Sequence, residues 1–405
     1  MNWYKTVHIP TIFSRSIWLV SLLLFIEFIF IKSNILFFCI FVLCSLYFFI
    51  YLYLNNIGKY IRIEDEKTTI RMFPNDEATM YLKLHHKGIL PLLQGNVTFT
   101  CNNIIKCTNI PKLYDNVMAK RAPYKLPLTY QYKSSKSYPV NIVANKRGVT
   151  RIREINLRIF DPFHIGTVSH YNTWGIGQEI LVYPEPKPLA NIQTFSKMRA
   201  GEQIYPHSLF EDISRIRGAR EYAANDPFSR IHWNLSAKNG QLMTKEYDKT
   251  VYHKWTIILN VLKDRQMSFD LSEEMEDYIS YVAFICQYAY KQNIPFEIYA
   301  NVVTNSNDSI FHLEPGTGGK HLSIALEMLA RINEGNYIKH INHFFHSLDR
   351  RIDEDAIVLY FGDYGSTIAN YLASWSRGGM SLFNVENNEE YGYLQPFKLR
   401  SDALA

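Results

Sequence analysis

The sequence is poor in cysteine and in net charge, and each shortage excludes a class of protein. Five cysteines in 405 residues are too few for a disulfide framework. A formal charge of +5 is small for this length, so no dense basic face is expected and nucleic acid is not a predicted partner. With 47% hydrophobic and 20% charged residues, the composition indicates a folded chain of two or three domains.

Apolar residues are abundant near the start of the chain, in two runs at 17–31 and 35–54. A membrane-crossing helix needs about 20 apolar residues, so we predict a two-helix transmembrane hairpin over residues 1–58. Basic residues flank the hairpin on both sides: Lys5, Arg15, Lys59, Arg62, Lys67 and Arg71. The positive-inside rule then predicts a multi-pass protein of the cell membrane, with both termini and the large C-terminal part in the cytoplasm. A signal peptide is the alternative, but no A-x-A-like cleavage site separates the runs.

Residues 59–190 show a period of two, which is typical of strands with one buried face. Apolar and polar residues alternate in four short segments, whose apolar members are Ile61 and Ile63; Met80, Leu82 and Leu84; Val97, Phe99 and Cys101; and Ile155, Leu157 and Ile159. We predict an all-β sandwich with immunoglobulin-like topology. In the predicted cytoplasm, Cys101 and Cys107 are expected to be buried free thiols.

Residues 191–250 form a polar linker followed by a motif that is dense in charge beside large apolar groups. The motif residues of interest are Arg220, Glu221, Tyr222, Asp226, Arg230, His232, Trp233, Ser236, Lys238, Lys245 and Glu246. Three interpretations stay open. The arginines and His232 suit an anion-binding or catalytic cluster. Paired charges suit a polar network that fixes a long connection onto the last domain. Arg, Trp and Tyr suit a docking surface for another protein.

Residues 251–405 alternate apolar strands with amphipathic helices, which predicts an α/β domain with a parallel sheet and helices on both faces. The predicted strands are 255–262, 296–303, 356–361 and 380–385, and the predicted helices are 272–292, 319–334 and 366–376. Ser272, which acidic residues follow, is the predicted N-cap of the first helix.

Between Arg220 and Tyr247 the chain contains R-E-Y, D-P, R-I-H-W, S-A-K and K-E-Y in this order. Together with K-R-G at 146–148 and V-Y-P at 182–184, these motifs resemble the bacterial membrane-protein family called domain of unknown function 58. The resemblance covers most of the chain. It implies a von Willebrand factor A-like domain at residues 251–405. It also implies two partners, a MoxR-type AAA+ ATPase and a transglutaminase-like membrane protein.

The same resemblance directs attention to a metal site. Metal-binding von Willebrand factor A domains carry D-x-S-x-S after the first strand, and a Thr and an Asp on later loops. The matching segment here is 260–264, where Asn260 replaces the first Asp and neither Ser is present. Asp264 and Asp363 remain as degenerate candidates, and two scattered ligands are too few for a hard cation. We therefore predict no metal and no cofactor.

The leading hypothesis is a membrane-anchored, non-catalytic scaffold or adaptor. It would be a partner or substrate of a MoxR-type AAA+ ATPase in envelope-related processes. The hypothesis rests on the hairpin, on the degenerate metal ligands and on a sequence without a nucleophile constellation. The alternative is an enzyme of unknown reaction at the inner membrane face, with His232, Asp226 and the two arginines as its active groups.

Overall fold

The computed structural model describes residues 3–31, 34–114, 121–192, 211–224, 226–249, 254–263, 271–303, 310–333, 338–353, 356–387 and 391–397. By internal contacts the chain forms two compact units. The first contains residues 1–185 and 329–333, and the second contains residues 186–328 and 334–405. The sequence predicts four segments, which is a finer division than these two units. That finer division stays a prediction.

Two long apolar helices open the first unit: α1 (Thr11–Ile31) and α2 (Asn34–Ile57). By length and composition, Thr11–Phe30 and Phe37–Ile57 could each cross a membrane. The helices lie against each other, and the ring centroids of Phe28 and Phe37 are 5.6 Å apart near the connection. The prediction of two long apolar helices at this point of the chain is confirmed.

The described strands of the first unit are β1 (Tyr4–His8), β2 (Ile61–Ile63), β3 (Thr69–Met72), β4 (Glu77–His86), β5 (Gln94–Asn102), β6 (Ile105–Cys107), β7 (Arg121–Leu128), β8 (Ser135–Ala144), β9 (Gly148–Arg151), β10 (Arg153–Phe160), β11 (Thr167–Asn172) and β12 (Glu179–Val182). They form sheets in the orders β1-β11-β10-β5-β7, β2-β4-β8-β6 and β3-β12-β9. The two larger sheets are antiparallel throughout. The predicted β-sandwich is therefore present.

One apolar core joins the inner faces of the two larger sheets. It contains the alternating residues that the sequence predicts to face inward, among them Met80, Leu82, Leu84, Val97, Phe99, Cys101, Ile155, Leu157 and Ile159. Tyr81, which lies between two of them on β4, is 56% exposed. Burying alternate residues of each strand removes apolar surface from water on one side only, which is why a period of two specifies this arrangement.

The strand before the hairpin belongs to the same sandwich. β1 pairs with β11, and Tyr4 lies opposite Tyr171 in the register. At the other end of the hairpin, Ile50, Leu54 and Ile57 of α2 are buried in the sandwich core. The chain before α1 and the chain after α2 thus join one folded unit. Both ends of the pair of helices therefore lie next to the sandwich.

The elements after residue 186 are β13 (Leu189–Ala190), β14 (Glu211–Glu221), α3 (Trp233–Asn239), β15 (Met243–Lys249), β16 (Trp255–Leu259), α4 (Met275–Lys291), β17 (Phe296–Val303), β18 (Ile310–Gly316), α5 (Gly318–Arg331), α6 (Ile341–Leu348), β19 (Ile357–Phe361), α7 (Ser366–Arg377), β20 (Ser381–Asn387) and β21 (Gly392–Pro396). One sheet has the order β13-β21-β20-β19-β16-β17-β18, and β14 pairs with β15 separately.

The seven-stranded sheet is mixed, whereas the sequence predicts a parallel one. The pairs β16–β17, β16–β19, β19–β20 and β13–β21 are parallel, but β17–β18 and β20–β21 are antiparallel. Only residues 304–309 separate β17 from β18, and only 388–391 separate β20 from β21. A parallel pair needs a crossover of about a dozen residues or more, so these short connections require antiparallel neighbours.

Helices cover both faces of this sheet, as predicted. Tyr288 of α4 stacks on Trp255 of β16 with ring centroids 6.1 Å apart. Ile258 lies three residues further along the same strand and so points to the opposite face. There it shares an apolar cluster with Phe345 of α6 and Trp375 of α7.

The predicted N-cap of the first helix is wrong. α4 begins at Met275, and Glu274 takes the capping position. The Ser272 hydroxyl instead donates to Asp363 Oδ1 at 2.6 Å and accepts from Glu274 N at 3.2 Å. It ties the turn before α4 to the loop after β19. The other predicted elements of this unit are present, with ends shifted by a few residues.

Candidate functional site

The charged motif folds into a hairpin with a short helix in its connection. β14 and β15 pair antiparallel, with Arg220 opposite Thr244 in the register. Between the strands lie a 3₁₀ turn (Phe228–Arg230) and α3. The helix stops at Gly240, whose φ of 72° is in the left-handed region that glycine adopts without strain. The local sequence thereby sets the length of α3.

A bidentate ion pair holds the start of this connection in place. The Arg220 guanidinium donates to both carboxylate oxygens of Asp226, at 2.6 and 2.7 Å. The carboxylate also accepts from Ala223 N at 3.0 Å and from Thr244 Oγ1 at 3.1 Å. These bonds, the one from Arg220 first, lower the pKa of Asp226 from 3.8 to about 2. Asp226 is therefore an ionised anchor at neutral pH.

Two further motif residues extend this network. The Tyr222 hydroxyl donates to the backbone oxygen of Asp226 at 3.0 Å. Arg220 Nε lies 3.8 Å from Glu246 Oε1 on β15. The guanidinium of Arg220 thus contacts acidic groups from both the connection and the second strand. The planar guanidinium carries several N–H donors, so one arginine can contact two carboxylates at once.

His232 and Ser236 join α3 to β15. The His232 ring accepts from Leu235 N through Nδ1 at 3.3 Å and so caps the N-terminus of α3. Ser236 Oγ donates to the His232 backbone oxygen at 3.0 Å and accepts from Met243 N at 2.9 Å. Among the described residues, the structure does not bring His232 and Asp226 into one hydrogen-bonded pair. His232 and Asp226 would be active groups of the alternative enzyme. Each instead makes its own hydrogen bonds to neighbouring backbone groups of the motif.

The remaining charged residues of the motif differ in their exposure to solvent. Glu221 and Lys238 are exposed, whereas Arg230 and Lys245 are half-buried. The Arg230 guanidinium lies over the Tyr247 ring, 5.7 Å from its centroid. A cation over an aromatic face is stabilised by the ring quadrupole.

Large apolar side chains on this hairpin also face solvent. Phe228 is 73% exposed, Trp233 65%, Ile216 50% and Leu242 46%. Single exposed apolar residues are ordinary on a protein surface. Phe228 and Trp233 are two such aromatic residues within one short connection.

A network of buried amides lies at the start of segment 260–264, the segment in which the resemblance directs attention to a metal site. Asn260 and Asn301 are fully buried, and Asn301 Nδ2 donates to Asn260 Oδ1 at 2.6 Å. Asn260 Nδ2 donates to Leu262 O at 2.9 Å and to Tyr360 Oη at 3.2 Å. Asn301 Oδ1 accepts from Val261 N at 2.9 Å. These oxygens are occupied by donors from the protein itself.

Of the two degenerate ligand candidates, Asp363 lies within the described residues. Asp363 follows β19 and accepts from Ser272. Asp264 lies outside the described residues. Within the described part of the chain, no three His, Cys, Asp or Glu side chains cluster as metal ligands would. The absence of a metal stays a prediction.

A buried carboxylate that could not be singled out from the sequence lies near the N-terminal ends of β16 and β17, away from Asn260. Glu297 is 2% exposed and accepts from Thr256 Oγ1 at 2.6 Å. Lys254 Nζ lies 3.1 Å from Glu297 and 2.7 Å from Asp353. Burial acts to lower the pKa of Lys254, but the bonds to Asp353 and Glu297 outweigh it and raise that pKa overall. A charged residue within the apolar run 296–303 is the sequence signal that points to such a pair.

Comparisons with known proteins leave the family open: no family model matches the chain, and no curated protein matches it. Among solved structures, the chain is similar to a chain of the Coh-OlpA–Doc918 cohesin–dockerin complex from Clostridium thermocellum, at 9% identity and a TM-score of 0.22. That match covers 31% of this chain and 99% of the other. A non-cellulosomal cohesin from Archaeoglobus fulgidus is similar at 8% identity and a TM-score of 0.20, covering 35% and 99%. The third ScaB cohesin of R. flavefaciens is similar at 14% identity and a TM-score of 0.20, covering 31% and 97%. At these values the likeness carries no argument about partners.

Proposed function

We propose that this chain is a membrane-anchored, non-catalytic adaptor whose motif hairpin (residues 211–249) docks onto a MoxR-type AAA+ ATPase. A single observation carries the proposal. Arg220 and Asp226 bond to each other within the motif, while Phe228 and Trp233 face solvent. The polar network builds the hairpin, and the aromatic side chains are left to contact a partner.

The chemistry of the exposed residues suits a protein partner. Tryptophan and arginine are enriched among the residues that contribute most binding energy at protein interfaces. Trp233 is 65% exposed at the start of α3, and α3 is held to β15 through Ser236. A fixed helix loses little conformational freedom when a partner binds it, which favours affinity.

The placement at the membrane has its own support. β1 pairs with β11 of the sandwich, and the end of α2 lies in the sandwich core. Removal of α1 and α2 as a signal peptide would therefore remove an edge strand and several core residues as well. Lys5 precedes α1, Arg15 lies near the start of that helix, and Lys59 and Arg62 follow α2. We propose that this basic side faces the cytoplasm, where an ATPase and its nucleotide are found.

The proposal also includes a specific fold for the sandwich and one for the α/β region. We infer an immunoglobulin-like topology for the sandwich. We infer a von Willebrand factor A-like domain for the α/β region, because its first strand, β16, is central and lies between β17 and β19. Asn260, which stands where the resemblance expects the first metal ligand, bonds through its amide to Asn301, and this bond supports a binding role in which no metal takes part. The transglutaminase-like membrane protein is a second proposed partner.

The proposal is tested by cross-linking in cells from the motif itself. A photoreactive amino acid replaces Trp233 in one variant and Trp174 in the other; Trp174 lies in the sandwich unit and is 84% exposed. After illumination and detergent extraction, mass spectrometry identifies the cross-linked protein. We expect a MoxR-type AAA+ ATPase from position 233 and not from position 174. Equal yields from both positions, or no ATPase from 233, would refute docking through the motif.

A further inference from the structure

A cavity of about 400 Å³ lies beside the last turns of α2. One helix face lines it, with Phe49, Leu52, Tyr53, Asn56 and Ile57 at helical spacing, and Tyr60 with residues 88–90 lines the rest. We call it the junction cavity. Its volume falls in the range of small-molecule sites, roughly 300–1,000 Å³.

The loop that forms the second wall is held in place before any ligand binds. His86 is 1% exposed, and its Nδ1 accepts from Gly88 N at 3.3 Å. Its Nε2 donates to Leu90 O at 2.6 Å. The Tyr53 hydroxyl donates to Pro91 O at 2.8 Å and ties the loop to α2. The cavity is therefore preformed.

Glycine is required at one position of this wall. A Cβ atom on Gly88 would lie 2.7 Å from Cε1 of the His86 ring, closer than carbon atoms can approach. Since His86 bonds to both ends of the loop, any side chain at position 88 would displace the group that shapes the cavity. The close approach of this backbone is thus part of the cavity's construction.

The composition of the walls selects an apolar ligand. Asn56 is the single polar amide among the lining residues, and the others are aromatic, aliphatic or glycine. Phe49 to Ile57 are also the end of a helix long and apolar enough to cross a membrane. Ile89, at the tip of the loop, is 78% exposed. In the proposed membrane placement, this loop and the cavity lie where lipid chains meet the headgroups.

Three lysines lie near the junction cavity in the chain or in the structure: Lys5, Lys59 and Lys87. Lys59 precedes the lining residue Tyr60, and Lys87 precedes Gly88. Lys5 Nζ donates to Asn55 O at 2.5 Å. The pKa of Lys5 is lowered, first by burial and then by the nearby charge of Lys59. An anionic headgroup at this point would relieve the repulsion between the ammonium groups of Lys5 and Lys59.

We propose that the junction cavity binds one acyl chain of an anionic phospholipid, with the lipid phosphate near Lys59 and Lys87. The inference rests on the membrane placement in the proposed function and extends it. Basic residues next to a membrane attract acidic lipids, and the preformed apolar cavity adds a specific place for one chain. Such a lipid would hold the sandwich at a fixed distance from the bilayer.

The test uses the full chain in vesicles of phosphatidylcholine and phosphatidylglycerol. Either lipid carries a photoreactive diazirine on an acyl chain, and cross-linked peptides are mapped by mass spectrometry. We expect labelling of 49–60 and 88–90 that is stronger with the phosphatidylglycerol probe. Leu52→Trp fills the cavity and should abolish most of this labelling. Leu23→Trp is the matched control, because Leu23 is 61% exposed on α1 and does not line the cavity.

The headgroup part is tested with Lys59→Gln and Lys87→Gln. Each change should lower the preference for the phosphatidylglycerol probe by roughly fivefold, as expected for one basic residue at a membrane surface. If Leu52→Trp and Leu23→Trp label equally at 49–60, the cavity proposal is overturned while the membrane placement stands. If α1 also remains unlabelled in the wild-type chain, the membrane placement fails, and the cavity proposal fails with it.

Discussion

Replacing Ser236 by alanine tests whether the motif hairpin is held together from within. Ser236 is 8% exposed, and its hydroxyl accepts from Met243 N at 2.9 Å while donating to His232 O at 3.0 Å. Alanine fits a helix well, so helix propensity does not oppose the change. What is lost is the polar link between α3 and β15.

The magnitude follows from the group left without its partner. Met243 is 8% exposed, and a buried N–H without an acceptor costs about 1–3 kcal/mol. A loss of about 2 kcal/mol corresponds to roughly a 30-fold rise in the equilibrium constant for local opening. We therefore expect the amides of β15 to exchange roughly 30-fold faster in the variant.

Hydrogen exchange of the full chain in detergent, followed by mass spectrometry, measures this rate. Ser229→Ala is the matched control, since Ser229 is exposed in the 3₁₀ turn of the same connection and should leave exchange unchanged. Peptides from the sandwich report whether an effect is local. Equal exchange of β15 in Ser236→Ala and in the wild-type chain would refute the reasoning, because Met243 N would then not depend on this hydroxyl.

Three further results are expected. Since the folded pKa of Asp226 is about 2 and its usual value is 3.8, its ion pair stabilises the hairpin above pH 3.8 and is lost as pH falls toward 2. Exchange protection of the hairpin should fall over this interval in the wild-type chain, and a matching fall in Asp226→Asn would contradict the assignment. Asn260→Asp should destabilise the α/β region by about 1–3 kcal/mol, because Leu262 O and Tyr360 Oη lose a buried donor. Added Mg²⁺ should not restore the melting temperature of this variant, and full recovery would revive a metal site. Finally, all five cysteines should react with a maleimide when the protein is denatured without reductant, because they are free thiols in the structure; labelling of only three would indicate a Cys101–Cys107 disulfide and an oxidising compartment, which would contradict the proposed cytoplasmic placement.

The sandwich could be predicted because its strands carry the period that places them. Met80, Leu82 and Leu84 alternate with polar residues, and the structure buries all three. β1 could not be found in this way. Its sequence Y-K-T-V-H is short and mostly exposed, and it becomes a strand because β11 offers it an edge to pair with. A strand that depends on a distant partner leaves little local signal.

The mixed sheet of the second unit also could not be fully predicted from the sequence. Strand–helix alternation indicates a sheet with helices on both faces, but it does not reveal the extra strands β18 and β21. Both follow their neighbours after short connections, so chain length alone imposes the antiparallel direction. Such hairpins are visible in a sequence only when the second strand is recognised.

In the motif, charge density and spacing predicted a cluster but not the role of each member. The pairing of Arg220 with Asp226 matches the expectation of paired charges. The use of the His232 ring as a helix cap could not be read from residue type, because histidine is more familiar as a catalytic group. The structure separates the residues that build the hairpin from those it leaves exposed, and only a folded backbone can make that distinction.

The most direct test of the adaptor proposal is the affinity of the purified MoxR-type ATPase for the full chain in detergent. Trp233→Ala removes the exposed aromatic group of α3, and Trp174→Ala is the control on a more exposed tryptophan of the sandwich. If Trp233 is an interface anchor, its loss should weaken binding by about 2 kcal/mol or more, roughly 30-fold in Kd. Trp174→Ala should bind as the wild-type chain does. Equal affinity of Trp233→Ala and the wild-type chain would contradict the claim that the motif hairpin is the docking surface.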